Sequence, residues 1–287
     1  MRSNLAFEAT PYGTTRTYLT YNAVRAKCEI TRATSVPHHS RTLVLNSSAM
    51  PSPPKQWSGP GIMQSYFKLK PGSKLSQETL EKWWQEEYLP KVVDTGIVKS
   101  AWTWNAVNPD YERQHMVIYK VPDLAPVQSD MLKKIPRTSD MFPTDGPVDD
   151  FIQFESRIFE LVQLYETGKQ PEDAATKIMY AAMQPLPGGE ADLDAWYREE
   201  HNEQMSKEPG WKRTTRFKLL FQTRNDGKKP GGLDFLAIHE FGEGNQLGKD
   251  VHPLDPMTDW TKKAMAGCTA IDAAIYEKAG GFGKAAG

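Results

Sequence analysis

"LDAWYREEHNEQMSKEPG" (residues 193–210) becomes informative when set beneath "LEKWWQEEYLPKVVDTG" (80–96). Leu80 meets Leu193, Trp83 meets Trp196, Trp84 meets Tyr197, and Glu86-Glu87 meet Glu199-Glu200. Tyr88 stands where His201 stands, and one inserted residue later Gly96 meets Gly210. Aromatics and acids in register over such a stretch mark an internal repeat, and a repeat governs architecture before any motif does. In each copy the spacing of apolar residues predicts an amphipathic helix. In the second, steps of three and four from Leu193 pass through Trp196 and Tyr197 to Glu200 and His201, then to Gln204 and Met205. A carboxylate and an imidazole therefore fall on the face that should be buried, where ionisable groups are costly unless paired.

The flanks repeat as well. Before each helix runs an alternating stretch that closes on Pro-Gly turn chemistry, "GIMQSYFKLKPG" (61–72) and "TKIMYAAMQPLPGG" (176–189). After each comes an aromatic and β-branched stretch, "IVKSAWTWNAV" (97–107) and "WKRTTRFKLLFQTR" (211–224), then "QHMVIYKV" (114–121) and "LDFLAIHEF" (233–241). A short helical piece follows, and each half ends in a long strand, "DDFIQFESRIFELVQLYE" (149–166) and "CTAIDAAIYEK" (268–278). Each half reads β-α-β-β-α-β, the ferredoxin-like arrangement, with repeats at 59–166 and 175–279 joined by a linker at 167–174. Such a unit leaves one face of its sheet uncovered. Two units placed sheet to sheet bury both faces and close an eight-stranded barrel with room for a ligand between the sheets.

These residues carry a resemblance. "DAWYREEHNEQMSKEPGW" (194–211), followed by a strand and then "FLAIHEF" (235–241), resembles the dimeric α+β barrel superfamily and, within it, the EthD-like proteins. Those carry an aromatic helix of W-Y-x-x-E-H type and a proline-glycine turn into the second strand. The resemblance covers residues 61–279 as two copies and is best in the second; the tandem form looks like fungal EthD-domain proteins, some of which tailor natural products. It implies an α+β chain whose two tandem ferredoxin-like (βαββαβ) repeats form an intramolecular dimeric α+β barrel. It does not choose a reaction, since the superfamily includes cofactor-free monooxygenases, decarboxylases, cyclases, haem proteins and stress-response proteins. Tyr88 departs from the family's histidine, so whatever that histidine does is confined to the second copy.

The 287 residues, 39% hydrophobic and 25% charged, describe a globular chain, and a formal net charge of -1 argues against a nucleic-acid partner. Cys28 and Cys268 lie in unlike contexts and make no disulfide framework, so a reducing, cytoplasmic setting is the expectation. No apolar run reaches the roughly 20 residues that span a bilayer. Residues 1–50 hold six Lys/Arg against Glu8 and Glu29 and are rich in Ser and Thr. That composition admits a mitochondrial transit peptide, a disordered tail, or a true start at Met50. "MPSPPKQWSGPG" (50–61) reads as a linker, so residues 1–58 are expected to be a disordered or processed segment and the folded body to begin near Ile62. "GGFGKAAG" reads as a flexible tail at 280–287.

His201 is either a helix-end histidine bonded to a backbone carbonyl or a general acid or base. Glu200 is its neighbour, and pairing between them depends on tertiary geometry. Aligning "MVIYK" (116–120) with "LAIHE" (236–240) sets Tyr119 opposite His239, a second tyrosine exchanged for a histidine. In its strand His239 shares a face with Phe235, Ala237 and Phe241, as a satisfied core residue or as the polar handle of an apolar pocket. Arg213 and Arg216 lie on opposite faces of one strand, so only one can enter a cavity, either as a solvated charge or as the holder of a carboxylate or enolate. Trp102 and Trp104 share a face and either pack in the core or stack on a flat ligand. Tyr66, Tyr88, Tyr119 and Tyr197 join them as candidate substrate contacts, and Met63, Met179 and Met183 suit an adaptable lining.

No dinucleotide fingerprint, P-loop, zinc spacing or nucleophile elbow is present, so no cofactor is expected; haem, which one histidine could ligate, is the remaining alternative. The function expected is cofactor-free proton transfer on a small aromatic or polyketide-like molecule: decarboxylation, cyclisation or isomerisation, with His201 and His239 as acid and base. The alternatives are cofactor-independent oxygenation and small-molecule binding without turnover. The two halves form a pseudo-dimer within one chain, which does not forbid a homodimer. The reading turns on one expectation: the barrel encloses an apolar chamber that both imidazoles reach.

Overall fold

The computed structural model describes residues 56–129 and 131–283. Within them eight strands form a closed barrel: β1 (Gly61–Leu69), β2 (Ser100–Ala106), β3 (His115–Val121), β4 (Ile152–Tyr165), β5 (Lys177–Pro185), β6 (Trp211–Arg224), β7 (Phe235–Phe241) and β8 (Cys268–Gly283). Around the barrel the order is β1-β3-β2-β8-β5-β7-β6-β4, and every neighbouring pair is antiparallel. Seven of the eight strand-like stretches read from the sequence contain one of these strands, and the eighth, 268–278, falls within β8.

Strand alternation sorts the side chains into two shells. Ile62, Trp104, Ile118, Phe159, Tyr180, Phe217, Ile238 and Tyr276, one from each strand, belong to a single buried cluster. Only the lumen lets eight strands meet in this way. The alternate residues face outward, where helices cover them: Phe67, Val117, Tyr119 and Val121 pack with Leu80, Trp83 and Trp84, while Met183 and Ala237 pack with Leu193, Trp196 and Tyr197.

The covering helices are α1 (Gln77–Trp83), α2 (Leu89–Asp94), the single turn α3 (Ala125–Gln128), α4 (Glu190–Trp196), α5 (Asn202–Met205) and α6 (Asp259–Ala266). Ser76 caps α1 by accepting from the Thr79 N–H at 3.0 Å, and Thr258 caps α6 by accepting from the Thr261 N–H at 3.0 Å. Between α1 and α2 lies a π turn, Trp84–Tyr88, and between α4 and α5 a second, Tyr197–His201. A π turn takes up one extra residue, so the periodic stripe counted from Leu193 slips beyond Trp196. The fully buried positions that follow Tyr197 are accordingly Asn202 and Met205, while Glu200 and His201 are half-buried.

The first long helical segment ends at a left-handed glycine, Gly96 at φ 73°, and the turn that leads from α5 into β6 holds another, Gly210 at φ 76°. A Cβ on Gly210 would also stand 2.5 Å from the Asn245 backbone nitrogen, so this position requires glycine twice over.

Two boundaries are corrected. Residues 280–283, read as the start of a flexible tail, extend β8, with Phe282 paired to Ala101 and Gly283 to Ser100. Glycine allows this approach: Gly283 has φ 87°, and a Cβ there would lie 2.4 Å from the Lys99 carbonyl oxygen. At the other end, residues 56–58 are held to the body. The Trp57 N–H donates to Gln128 Oε1 at 2.8 Å, and its indole lies 6.0 Å from the Phe221 ring. The readings of residues 1–55 and 284–287 lie outside the described residues. Among the described residues no helix is long and apolar enough to cross a membrane.

Candidate functional site

His239 occupies the fifth position of β7, in register with Thr214 on β6 and Met179 on β5. Its face is the one turned to the helices, and its Nδ1 lies 2.8 Å from Thr214 Oγ1. The π turn delivers His201 to the same seam. Its imidazole stacks on Trp196 (centroids 4.2 Å, planes 23° apart), meets Tyr197 at 5.1 Å, and stands at 5.4 Å and 82° to His239. His201 is half-buried as a residue, and its Nδ1 is shielded and has no hydrogen-bond partner. Arg216, buried, enters from β6: its guanidinium sits 4.3 Å from the Tyr197 ring centroid and donates to Gln163 Oε1 and Asp194 Oδ1, each at 2.8 Å. Tyr197 in turn donates to the Met183 sulfur at 3.6 Å.

Burial, with Arg216 adding its positive charge, pulls His201 down to about 3. Burial is also the main cause holding His239 well below its usual value, with His201 and Arg216 adding to it. Both rings are therefore neutral near pH 7. Burial raises the Tyr197 phenol, against the opposing pull of Arg216. The candidates His201, His239, Tyr197 and Arg216 thus converge. Glu200 does not join them: its Oε1 accepts from Thr258 Oγ1 at 2.6 Å and Thr261 Oγ1 at 3.3 Å, tying the π turn to the start of α6.

At the corresponding places in the first half, Tyr88 packs on Trp83 (5.1 Å) and Trp84 (5.2 Å), and Tyr119 is buried opposite Met63. Burial raises both phenols. This seam is an aromatic core with tyrosines at the two places held by His201 and His239.

The lumen is a separate place. A cavity of about 440 Å³ opens at one end of the barrel, lined by Ile62, Trp102, Trp104, Ile118, Phe217 and Ile238, with Arg213 and Glu240 at its polar edge. Arg213 Nε donates to Glu240 Oε2 at 2.9 Å. Burial raises the Glu240 carboxyl, opposed by Arg213. Of the two arginines weighed on this strand, Arg213 faces the cavity and Arg216 the seam, because they are three residues apart in an extended chain. Tyr66 also points inward but lies deeper, in a polar layer. Arg157 donates to Tyr180 Oη at 2.8 Å and to Glu155 Oε1 at 2.6 Å, and its guanidinium lies 5.3 Å from the Tyr66 ring.

The expectation of one chamber reached by both imidazoles is therefore corrected. Ile238 and Glu240 line the lumen, so His239 between them faces the other way. Glu240 was missed in the sequence, although its alternation with His239 was the signal that could have found it. The void beside Tyr197 and Arg216 measures about 10 Å³. Among the described residues no group of three or more His, Cys, Asp or Glu is placed to hold a metal ion.

No family model matches the chain, and no curated protein matches it. Among solved structures it is similar to an anthrone oxidase-like protein, at 12% identity and TM-score 0.49, over 80% of this chain and 94% of that one. It is also similar to a protein of Fusobacterium nucleatum subsp. nucleatum provisionally named a monooxygenase, at 13% identity and TM-score 0.47, over 79% and 96%. A third, from Lactobacillus acidophilus and likewise provisionally named, stands at 9% and 0.44, over 79% and 98%. At such values the likeness says nothing of substrate, and the barrel rests on its own strand registers.

Proposed function

We propose that this chain is a small-molecule enzyme whose barrel consists of two ferredoxin-like repeats, a pseudo-dimer within one chain, and that it performs cofactor-free proton transfer on a small aromatic or polyketide-like molecule. Support for the repeat comes from the strand order, which divides into β4-β1-β3-β2 and β8-β5-β7-β6. Matching π turns and matching registers, Met63 opposite Tyr119 and Met179 opposite His239, support it further.

The observation that carries the chemistry is the unpartnered Nδ1 of His201, shielded from solvent in the same seam as the buried Arg216. A neutral imidazole with a free lone pair is a proton acceptor, and a guanidinium next to it stabilises the enolate or carboxylate that forms. His239, with Nδ1 engaged by Thr214, supplies the second imidazole. An anionic substrate group on Arg216 would offset one of the two causes that depress His201 and bring it towards a working range. The seam must open to admit a substrate, since the void beside Tyr197 and Arg216 measures only about 10 Å³.

The test is incubation of purified protein with β-keto acid and phenolic substrates without added cofactor, following product by mass spectrometry. The variant His201→Ala, His239→Ala should lose at least about 100-fold in kcat, the usual scale of general acid–base catalysis. Undiminished turnover by that variant defeats the proposal. Oxygen uptake with a hydroquinone-like substrate assigns the same site to oxygenation instead. Binding without turnover is the second reading, favoured by a lumen cavity that neither imidazole lines; it predicts a raised melting temperature and no product.

A further inference from the structure

We infer that the barrel lumen is a second binding site, separate from the imidazole seam, for a flat apolar molecule carrying one acidic group, with the segment 166–173 acting as an internal stand-in for that acid. The inference does not depend on the proton-transfer reading.

The first support is size and shape. Packed interiors leave few voids larger than one water, whereas this cavity of about 440 Å³ lies within the range of small-ligand pockets. Its walls set Trp102 and Trp104 against Ile118, Phe217 and Ile238, a lining suited to a planar body.

The second support is charge. The strands and their immediate ends bring Lys99, Lys120, Arg213 and Lys278 to the cavity, with Glu240 the only strand carboxylate among its lining residues. The segment between β4 and β5 supplies the balance. Glu172, with its side chain only 4% exposed, reaches Lys120 Nζ at 2.6 Å and Lys99 Nζ at 3.4 Å. Asp173 accepts from Lys278 Nζ at 2.6 Å and from the Trp102 indole N–H at 2.9 Å. Arg213 donates to the Pro171 carbonyl oxygen and lies 3.7 Å from Glu166. A linker that only joined two halves would have no reason to bury a carboxylate between two lysines at the mouth of an apolar cavity. The same cations can instead hold a ligand carboxylate or phenolate whose ring body rests on the tryptophans.

The probe is 2-naphthoate, with 2-naphthamide as its neutral counterpart, and the readout is quenching of tryptophan fluorescence together with calorimetry on the full chain. The expected result is that naphthoate binds at least about tenfold more tightly than the amide, the scale of one charge-assisted hydrogen bond. Thr215→Trp, which fills the cavity from a partly exposed position, should abolish binding of both. Should that variant fail to fold, Lys120→Gln keeps the test alive by weakening naphthoate alone. Glu172→Gln should tighten naphthoate several-fold and leave the amide unchanged, because the competing carboxylate is gone. Three results overturn the inference: equal affinity for acid and amide, binding that survives Thr215→Trp in a folded protein, or Glu172→Gln that fails to favour the acid.

Discussion

His239 and Glu240 are adjacent in β7 and serve opposite sides of one wall: the imidazole contacts Thr214 beneath the helices, and the carboxylate pairs with Arg213 in the lumen. A single step along an extended strand separates two chemical environments. Each can be addressed by its own measurement.

Stability should fall on acidification through the seam. The folded value of His201 is about 3 and that of His239 is also depressed, so the unfolded chain, with ordinary histidines near 6.5, binds the more protons as pH falls. The stabilisation is complete above about pH 6.5 and is lost progressively below it, by at most about 1.4 kcal/mol per pH unit for each ring. Urea denaturation at pH 7, 6 and 5 should show this slope, and His201→Phe should flatten it. Identical slopes in the two proteins would contradict the buried neutral rings.

Removing the cation from the seam should release the histidine. Burial is the larger cause depressing His201 and Arg216 the second, so Arg216→Met should move the imidazole upward without restoring its ordinary value. Titration of the ring by NMR measures the shift. A downward or null shift would mean that the guanidinium does not act on the ring.

The lumen core should be sensitive where it is full. Phe159 is wholly buried at the barrel's centre, and Phe159→Ala should cost about 3–5 kcal/mol by chemical denaturation. Leu164, half exposed at the cavity mouth, should cost well under that when replaced by Ala. Equal losses at the two positions would argue against a core centred in the lumen.

Gly96, which ends the first helical segment, and Gly210, in the turn before β6, should not be equivalent. Both have positive φ, but a Cβ at Gly96 meets open space whereas one at Gly210 strikes the Asn245 backbone. Gly96→Ala should cost on the order of 1 kcal/mol from backbone strain alone, and Gly210→Ala distinctly more. Thermal melts of the two variants decide this, and a larger loss at Gly96 would reverse the assignment.

Much of this was legible beforehand because short-range rules produced it. β6 begins at Trp211 and ends at Arg224, as its aromatic and β-branched residues indicate, and Pro-Gly or glycine turns mark the ends of the helical segments. The opposition of Arg213 to Arg216 followed from alternation alone. Two features escaped. The π turns at Trp84–Tyr88 and Tyr197–His201 shift the helical count, and no residue type announces them, since they form where the packed helix must absorb one extra residue. The end of β8 was hidden by "GGFG", a composition of loops that becomes a strand because β2 offers it a partner edge too close for a Cβ.

By itself the sequence determined the periodicities: which residues alternate, where turns fall, and that aromatic helices recur. Those are local consequences of backbone geometry and hydrophobic patterning, readable along one dimension. Only the tertiary structure decided that His201 meets His239 while Glu240 meets Arg213, and that residues 166–173 cross the barrel's mouth to reach lysines of both halves. Such pairings bring together residues distant along the chain, so they exist only once the barrel has closed and given each strand an inside and an outside.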